Sequence, residues 1–146
     1  MADLCEVKIK KLHLDAVIPR FQTTGAAGFD LHCLEEVMLL PGRHTAVRTG
    51  LAVAVPPGYA LMIYPRSGYA KKYGITLSNA VGIIDSDYRD EVLVLMHNTG
   101  TETVIFSKGD RIAQAVVHQL PSISVVEVTE LGQTERKGGF GSTGSK

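Results

Sequence analysis

Thr45-Ala-Val-Arg-Thr-Gly-Leu-Ala-Val-Ala-Val55, then Pro56-Pro57-Gly58, then Tyr59-Ala-Leu-Met-Ile-Tyr64, is the stretch whose reading decides the fold. Val, Ile and Tyr gather on both sides of a turn that opens with two prolines, and helical periodicity is absent. This is the signature of two strands joined by a turn. The same pattern recurs outward in both directions. Glu36 to Leu40, Ile75 to Ser78, Val81 to Ile84, Glu91 to His97, Thr103 to Phe106, Arg111 to Gln119 and Ile123 to Val128 all read as strands. Pro41-Gly42, Asn98-Thr99-Gly100 and Lys108-Gly109-Asp110 supply the turns between them. Short strands at a spacing of about ten residues predict an all-β sandwich, jelly roll or barrel.

One stretch departs from this pattern. Ser67-Gly-Tyr-Ala-Lys-Lys-Tyr-Gly74 opens on a good N-cap residue and ends on glycine, as a helix of about two turns would. Such a helix aims free N–H groups at whatever lies beside Arg66 and Ser67, which suits a phosphate. A surface turn with a fortuitous cap is the alternative.

With 146 residues the chain is one domain long and able to bury a single core. Apolar residues make up 45% and charged residues 21%, the profile of a soluble globular protein. Basic and acidic residues balance at 15 each, so no bulk field draws the chain to nucleic acid or to an anionic membrane. Any bound anion must be held by a local cluster of donors. No apolar run approaches the roughly 20 residues of a membrane span. Lys8, Lys10, Lys11, Asp15 and Pro19 interrupt the N-terminal segment, so it does not read as a secretory signal. Cys5 and Cys33 read as structural thiols in a reducing compartment, which predicts a cytoplasmic protein that is not secreted (or one inside the nucleus or a virus-infected cell).

The acidic cluster Asp85-Ser-Asp87-Tyr-Arg-Asp90-Glu91 lies between two apolar strands, on a hairpin or its shoulders. Turn chemistry explains one or two of these acids. It explains Asp85 less well, because Asp85 directly follows Gly82-Ile-Ile84; there a carboxylate either caps the turn or serves as a general base on water. The cluster is no EF-hand loop, since Arg89 and Asp90 stand where Asp or Asn and then Gly are needed. His13, His32, His44, His97 and His118 show no close metal-ligand spacing. Gly139-Phe-Gly-Ser-Thr-Gly144 is followed by Ser145 where a phosphate-binding loop of the Walker type requires Lys.

What remains is a set of anion-binding pieces: Arg66-Ser67-Gly68, Arg111 with Gln114, and Arg136 with the Gly-Ser-Thr tail. Together with an acid able to activate water, they suggest hydrolysis at a phosphate, usually with magnesium. The tail from Lys137 to Lys146 has a composition that stays disordered. Phe140 amid its glycines is costly to expose, and a tail that orders over a ligand explains both the flexibility and the ring.

Taken in order, these segments resemble the five motifs of the trimeric dUTP nucleotidohydrolases (dUTPases). Ala27-Gly-Phe-Asp-Leu31 resembles motif one, Pro65-Arg-Ser-Gly-Tyr-Ala70 motif two, Gly82-Ile-Ile-Asp-Ser-Asp-Tyr-Arg89 motif three and Gly109-Asp-Arg-Ile-Ala-Gln114 motif four. Arg136 with Gly138-Gly-Phe-Gly-Ser-Thr-Gly144 resembles motif five. The resemblance implies a distorted jelly roll of the β-clip type with one short helix, a homotrimer with three active sites shared between subunits. It implies a barrel over residues 1–132 and a Gly-rich arm, 133–146, that closes over the site. It also implies attack of water on the α-phosphorus of dUTP, giving dUMP and pyrophosphate with magnesium on the triphosphate, a reaction that limits uracil in DNA.

Carried over residue by residue, the resemblance makes Asp85 the base, with Gln114 close to it. Tyr88 lies under the deoxyribose and leaves no room for a 2′-hydroxyl. Asn79 and the backbone of Gly82, Ile83 and Ile84 read the uracil edge, and Arg66, Ser67 and Gly68 hold the phosphates. By the same resemblance Asp30 acts on magnesium through its waters, Arg136, Ser142 and Thr143 clamp the terminal phosphate, Gly141 beside them binds substrate, and Phe140 covers the uracil. Two positions depart from the family pattern. Asp90 stands where Gly is usual, which would cost about 1 kcal/mol if the backbone there had positive φ. Motif five is one residue short, placing Arg136 four residues before Phe140 instead of five. Two other readings differ in class. A dCTP deaminase on the same fold needs a glutamate base near the pyrimidine, where this chain has Asp85. A nucleotide-gated regulatory binding protein would use the same barrel and the same closing tail.

Overall fold

The computed structural model describes residues 4–145. In chain order the elements are β1 (Lys8–Lys11), β2 (Phe29–His32), β3 (Val37–Leu39), β4 (His44–Arg48), β5 (Leu51–Ala54), β6 (Tyr59–Pro65), α1 (Ser67–Tyr73), β7 (Ile75–Leu77), β8 (Gly82–Ile84), β9 (Leu93–Asn98), β10 (Val104–Phe106) and β11 (Arg111–Gln119). Every strand pairing is antiparallel. The widest sheet runs β2-β11-β6-β8, a second runs β4-β9-β7, and two strand pairs, β1-β5 and β10-β3, complete the wall. Together they form a distorted jelly roll with one short helix. Among the described residues, no helix is long and apolar enough to cross a membrane.

The core follows from alternation. On β6, Leu61 and Ile63 point inward while Met62 and Tyr64 face out, and on β11 Ala113 and Ala115 point inward while Gln114 and Val116 face out. The inward residues join Phe29, Leu31, Leu39, Val47, Val94, Met96 and Phe106 in one cluster. Burying each large aliphatic side chain there stabilises the fold by about 1.5–3 kcal/mol. Cys33 belongs to this core, where its thiol donates to the Ser107 carbonyl at 3.1 Å and burial raises its pKa, in keeping with a structural role.

Two strand expectations are corrected. Thr45–Val55 is not one strand, because the chain turns a corner at Thr49-Gly50: β4 pairs with β9, whereas β5 pairs with β1. Gly50 has φ 69°, and a Cβ there would press on the Ala16 and Leu34 side chains at 3.0 and 3.1 Å, so both backbone and packing require glycine. Thr49 closes the corner through its hydroxyl, which donates to the buried Val92 carbonyl at 2.7 Å. Ile123–Val128 forms no strand either. The sheet structure ends at Gln119, and Ile123, Val125 and Val126 are exposed with no partner strand among the described residues. Composition favours extension here, but no free edge of the same chain receives it.

Helix α1 forms where expected, shifted by one residue. Arg66, with extended backbone, is the N-cap residue and Ser67 the first helical one, and no side chain caps the N-terminus. Gly74 ends the helix in the left-handed conformation, φ 71°, with its N–H bonded to the Ala70 carbonyl. Strands β1 and β2 were not read from sequence as strands. β1 carries only Ile9 between lysines, the make-up of a protected edge, and β2 is four residues long.

Candidate active site

Strand register brings three separated segments to one place. Asp30 on β2 and Gln114 on β11 are cross-strand partners, and Gln114 is also opposite Tyr64 on β6, one residue before Pro65-Arg66. Asp30, Gln114 and Tyr64 therefore share the outward face of the sheet. At their end of the sheet lies a cleft of about 200 Å³ lined by Asp30, Arg66, Ser67, Gly68 and Gln114. These are five of the residues singled out in sequence, drawn from motifs one, two and four.

The cleft is held by charge. The Asp30 carboxylate, 14% exposed, lies 3.3 Å from the Arg111 guanidinium and 3.6 Å from that of Arg66. Arg66 also donates to the Arg111 carbonyl at 3.3 Å, and the Gln114 amide donates to the Pro65 carbonyl at 3.0 Å. Two arginines on one carboxylate leave guanidinium donors free for an anion, and the fork geometry of arginine suits phosphate oxygens. Arg111 stood in the sequence as a loose anion-binding piece; its tie to Asp30 is new. Among the described residues no group of three His, Cys, Asp or Glu side chains could hold a metal ion. A lone carboxylate fits a magnesium ion that keeps its waters and takes its other ligands from substrate phosphates.

The hairpin after β8 lies elsewhere. Asp85 is exposed at the end of β8, and Asn79 is exposed in the turn before that strand. That turn is strained: Ala80 has φ 63°, and Val81 N–H closes onto the Asn79 carbonyl at 2.7 Å. Ile83 is 63% exposed with nothing covering it. Tyr88 is half buried, and its phenol donates to the Glu91 carbonyl at 2.8 Å. Asp90, standing where the resemblance expects glycine, has no positive φ, so that substitution carries no left-handed strain.

Register separates the two halves. Ile84 pairs with Leu61, three positions down β6 from Tyr64, and Gln114 is one strand further across the sheet. At ~3.3 Å per residue and ~4.8 Å per strand, Asp85 lies on the order of 15 Å from Gln114. The expected closeness of Gln114 to Asp85 is therefore not met inside one chain. Nor does the tail reach either half. Arg136, Gly141, Ser142 and Thr143 are exposed, and Phe140 is fully exposed at φ 49° on turns made by Ser142 N–H to Gly139 and Gly144 N–H to Gly141.

The chain matches the dUTPase family model over residues 15–144. It is 51% identical to the deoxyuridine 5'-triphosphate nucleotidohydrolase of Nautilia profundicola, covering 95% of this chain and 99% of that one. With the protein of the same name from Wolinella succinogenes it shares 50% identity over 99% of each chain. Its fold is similar to the dUTPase of Staphylococcus bacteriophage 80alpha, solved with dUpNHpp, at TM-score 0.86, 25% identity and 96% of this chain. A dUTPase of phage phi11 of S. aureus, solved with a structural Mg(II) ion, is similar at TM-score 0.80 and 21% identity over 88% of this chain. The cleft, the hairpin and most of the glycine-rich tail thus lie within a chain that matches this family almost end to end; it belongs to the dUTPase family.

Proposed function

We propose that this chain is a hydrolase that converts dUTP to dUMP and pyrophosphate, working in the cytoplasm as a homotrimer. The observation that carries this reading is the family match over residues 15–144, within which the cleft and hairpin residues fall. In the reaction the Asp85 carboxylate takes a proton from a water whose oxygen bonds the α-phosphorus. The bond from that phosphorus to the bridging oxygen breaks, and pyrophosphate leaves. Arg66, Ser67 and Gly68 hold the phosphates, and Gln114 of a neighbouring chain's cleft lies close to the Asp85 base. Asn79 and the backbone of Gly82, Ile83 and Ile84 read uracil. Cytosine would place a donor where uracil has an acceptor, stranding buried polar groups at roughly 1–3 kcal/mol each. Tyr88 excludes a 2′-hydroxyl. The arm, residues 133–146, closes with Phe140 over the base and Arg136, Gly141, Ser142 and Thr143 on the terminal phosphate. Asp30 would engage a magnesium ion through water, and that ion would neutralise charge on the triphosphate.

The separation of Asp85 from Gln114 supports a site shared between chains, and the exposed Ile123–Val128 segment supports an assembly that covers it. The test is magnesium-dependent pyrophosphate release across dUTP, dCTP, dTTP and UTP. Rapid release from dUTP alone is expected. Equal rates on UTP would remove the role given to Tyr88, and ammonia release from dCTP would replace the reading with a deaminase.

A further inference from the structure

The hairpin of residues 85–90 is weakly tied to the rest of the fold. Its own bonds are local: Tyr88 N–H to the Asp85 carbonyl at 3.2 Å, and the Arg89 guanidinium to the Ser86 and Tyr88 carbonyls at 2.7 and 2.9 Å. The Tyr88 phenol reaches just past the hairpin, to the main-chain carbonyl of Glu91. Glu91 in turn is gripped from a distant part of the chain. Its carboxylate receives Arg48 Nη2 at 3.0 Å and Arg48 Nε at 3.1 Å, as well as the Gly50 N–H at 3.3 Å. The neighbouring Val92 is fixed at both polar groups, its carbonyl by Thr49 and its N–H by the Leu51 carbonyl. The corner Arg48-Thr49-Gly50-Leu51 therefore clamps residues 91 and 92, and through them the point to which the Tyr88 ring is tied. The Glu91 carboxylate is 18% exposed, and its bond to Arg48 holds its pKa below the usual carboxylate range, so it stays charged and paired at neutral pH.

We infer that Arg48 and Glu91 are positioning residues for sugar selectivity: they fix the Tyr88 ring so firmly that it cannot yield to a ribose 2′-hydroxyl. The inference rests on the reading of Tyr88 as the ring under the deoxyribose. Rejection by contact works only against a stiff wall, since a ring free to move by an ångström admits one extra oxygen. The bidentate fork of Arg48 supplies that stiffness, and a lysine, with one ammonium, cannot reproduce it.

The experiment compares kcat and KM on dUTP and UTP for the full-length protein and five variants, with thermal midpoints measured alongside. Arg48→Met and Glu91→Gln should lower the preference for dUTP over UTP by about tenfold, mostly by improving use of UTP, while kcat on dUTP stays within about threefold. Arg48→Lys should fall between wild type and Arg48→Met. Tyr88→Phe, which removes only the anchoring hydroxyl, should lower the preference for dUTP over UTP to the extent that Glu91→Gln does. Tyr88→Ala removes the ring and serves as the control on the underlying reading. If Tyr88→Ala abolishes selectivity while folded Arg48→Met, Glu91→Gln and Tyr88→Phe keep it, the inference is wrong and the sugar role of Tyr88 stands. If Tyr88→Ala leaves selectivity intact, that role itself fails. A lower thermal midpoint with unchanged selectivity makes the clamp purely structural and also overturns the inference. Should Arg48→Met or Glu91→Gln fail to fold, Arg48→Lys and Tyr88→Phe decide alone.

Discussion

Single residues carry both the chemistry and much of the specificity of the fold, and they differ in how plainly the sequence announces them. Asp85, the proposed base, draws notice in sequence because an acid at the end of an apolar strand needs a reason; Asp85→Asn is expected to lower kcat on dUTP by about 10³-fold while leaving nucleotide binding within a few fold, measured by single-turnover kinetics and calorimetry. Retained turnover would remove it as the base. Asn98 is the opposite case, read in sequence only as a turn residue yet central to the fold. It is wholly buried, donating from its amide nitrogen to the Leu39 and Glu102 carbonyls at 2.9 and 2.7 Å and accepting the Gly100 N–H at 2.9 Å. Asn98→Ala strands three backbone groups and should cost about 2–4 kcal/mol in urea unfolding at fixed chain concentration. Asn98→Asp should cost at least as much, because a carboxylate oxygen would then face two carbonyls. The local turn pattern does not reveal this buried role, since its partners come from strand β3 and the turn after β9. Asp90 shows the converse error: identity alone suggested backbone strain, and its negative φ removes it.

At the scale of elements, legibility tracks how local the determinants are. Strand β11, Arg111–Gln119, is read with its bounds from Val and Ile enrichment between a Gly-Asp turn and Pro121. The corner at Thr49-Gly50 is not, because the residues that demand it, Ala16, Leu34 and Val92, lie far away in sequence. That corner gives an acid-sensitive joint. Glu91 has a folded pKa below its unfolded one, so the Arg48–Glu91 pair adds stability that is fully present above the unfolded carboxylate value, about 4.3, and is lost as pH falls through the lower folded value. The stability difference between wild type and Arg48→Met should therefore be constant from pH 7 to about 5 and shrink below about 4, as followed by urea titrations across that range. A difference that persists at low pH would place the contribution of Arg48 in packing instead of charge. The tail is an element of another kind. Its glycines and the exposed Phe140 read in sequence as a device for closing, and the closure proposed above would need a ligand and neighbouring chains, which one sequence does not contain.

The whole molecule explains why the candidate site residues read from sequence fall into two groups that do not meet within one chain. Asp30, Arg66, Ser67, Gly68 and Gln114 form a cleft because strand register within one chain brings them together. Asp85 and Tyr88 stand at the far end of β8, and the same register keeps them on the order of 15 Å from Gln114. The proposed trimer would resolve this: in a closed ring of three copies, a hairpin from one chain would face a cleft from the next. Sedimentation equilibrium should then give three times the mass of the chain, and a monomer with full activity would exclude shared sites. Mixing two dead proteins tests the sharing itself. Asp85→Asn keeps its cleft and Arg66→Ala keeps its hairpin, so each alone should be nearly inactive. After co-refolding in equal amounts, about one quarter of the sites in randomly mixed trimers should pair an intact hairpin with an intact cleft, and activity should return to about that fraction of wild type. Sites confined to single chains would give no recovery at any mixing ratio, because every chain would still carry its own lesion.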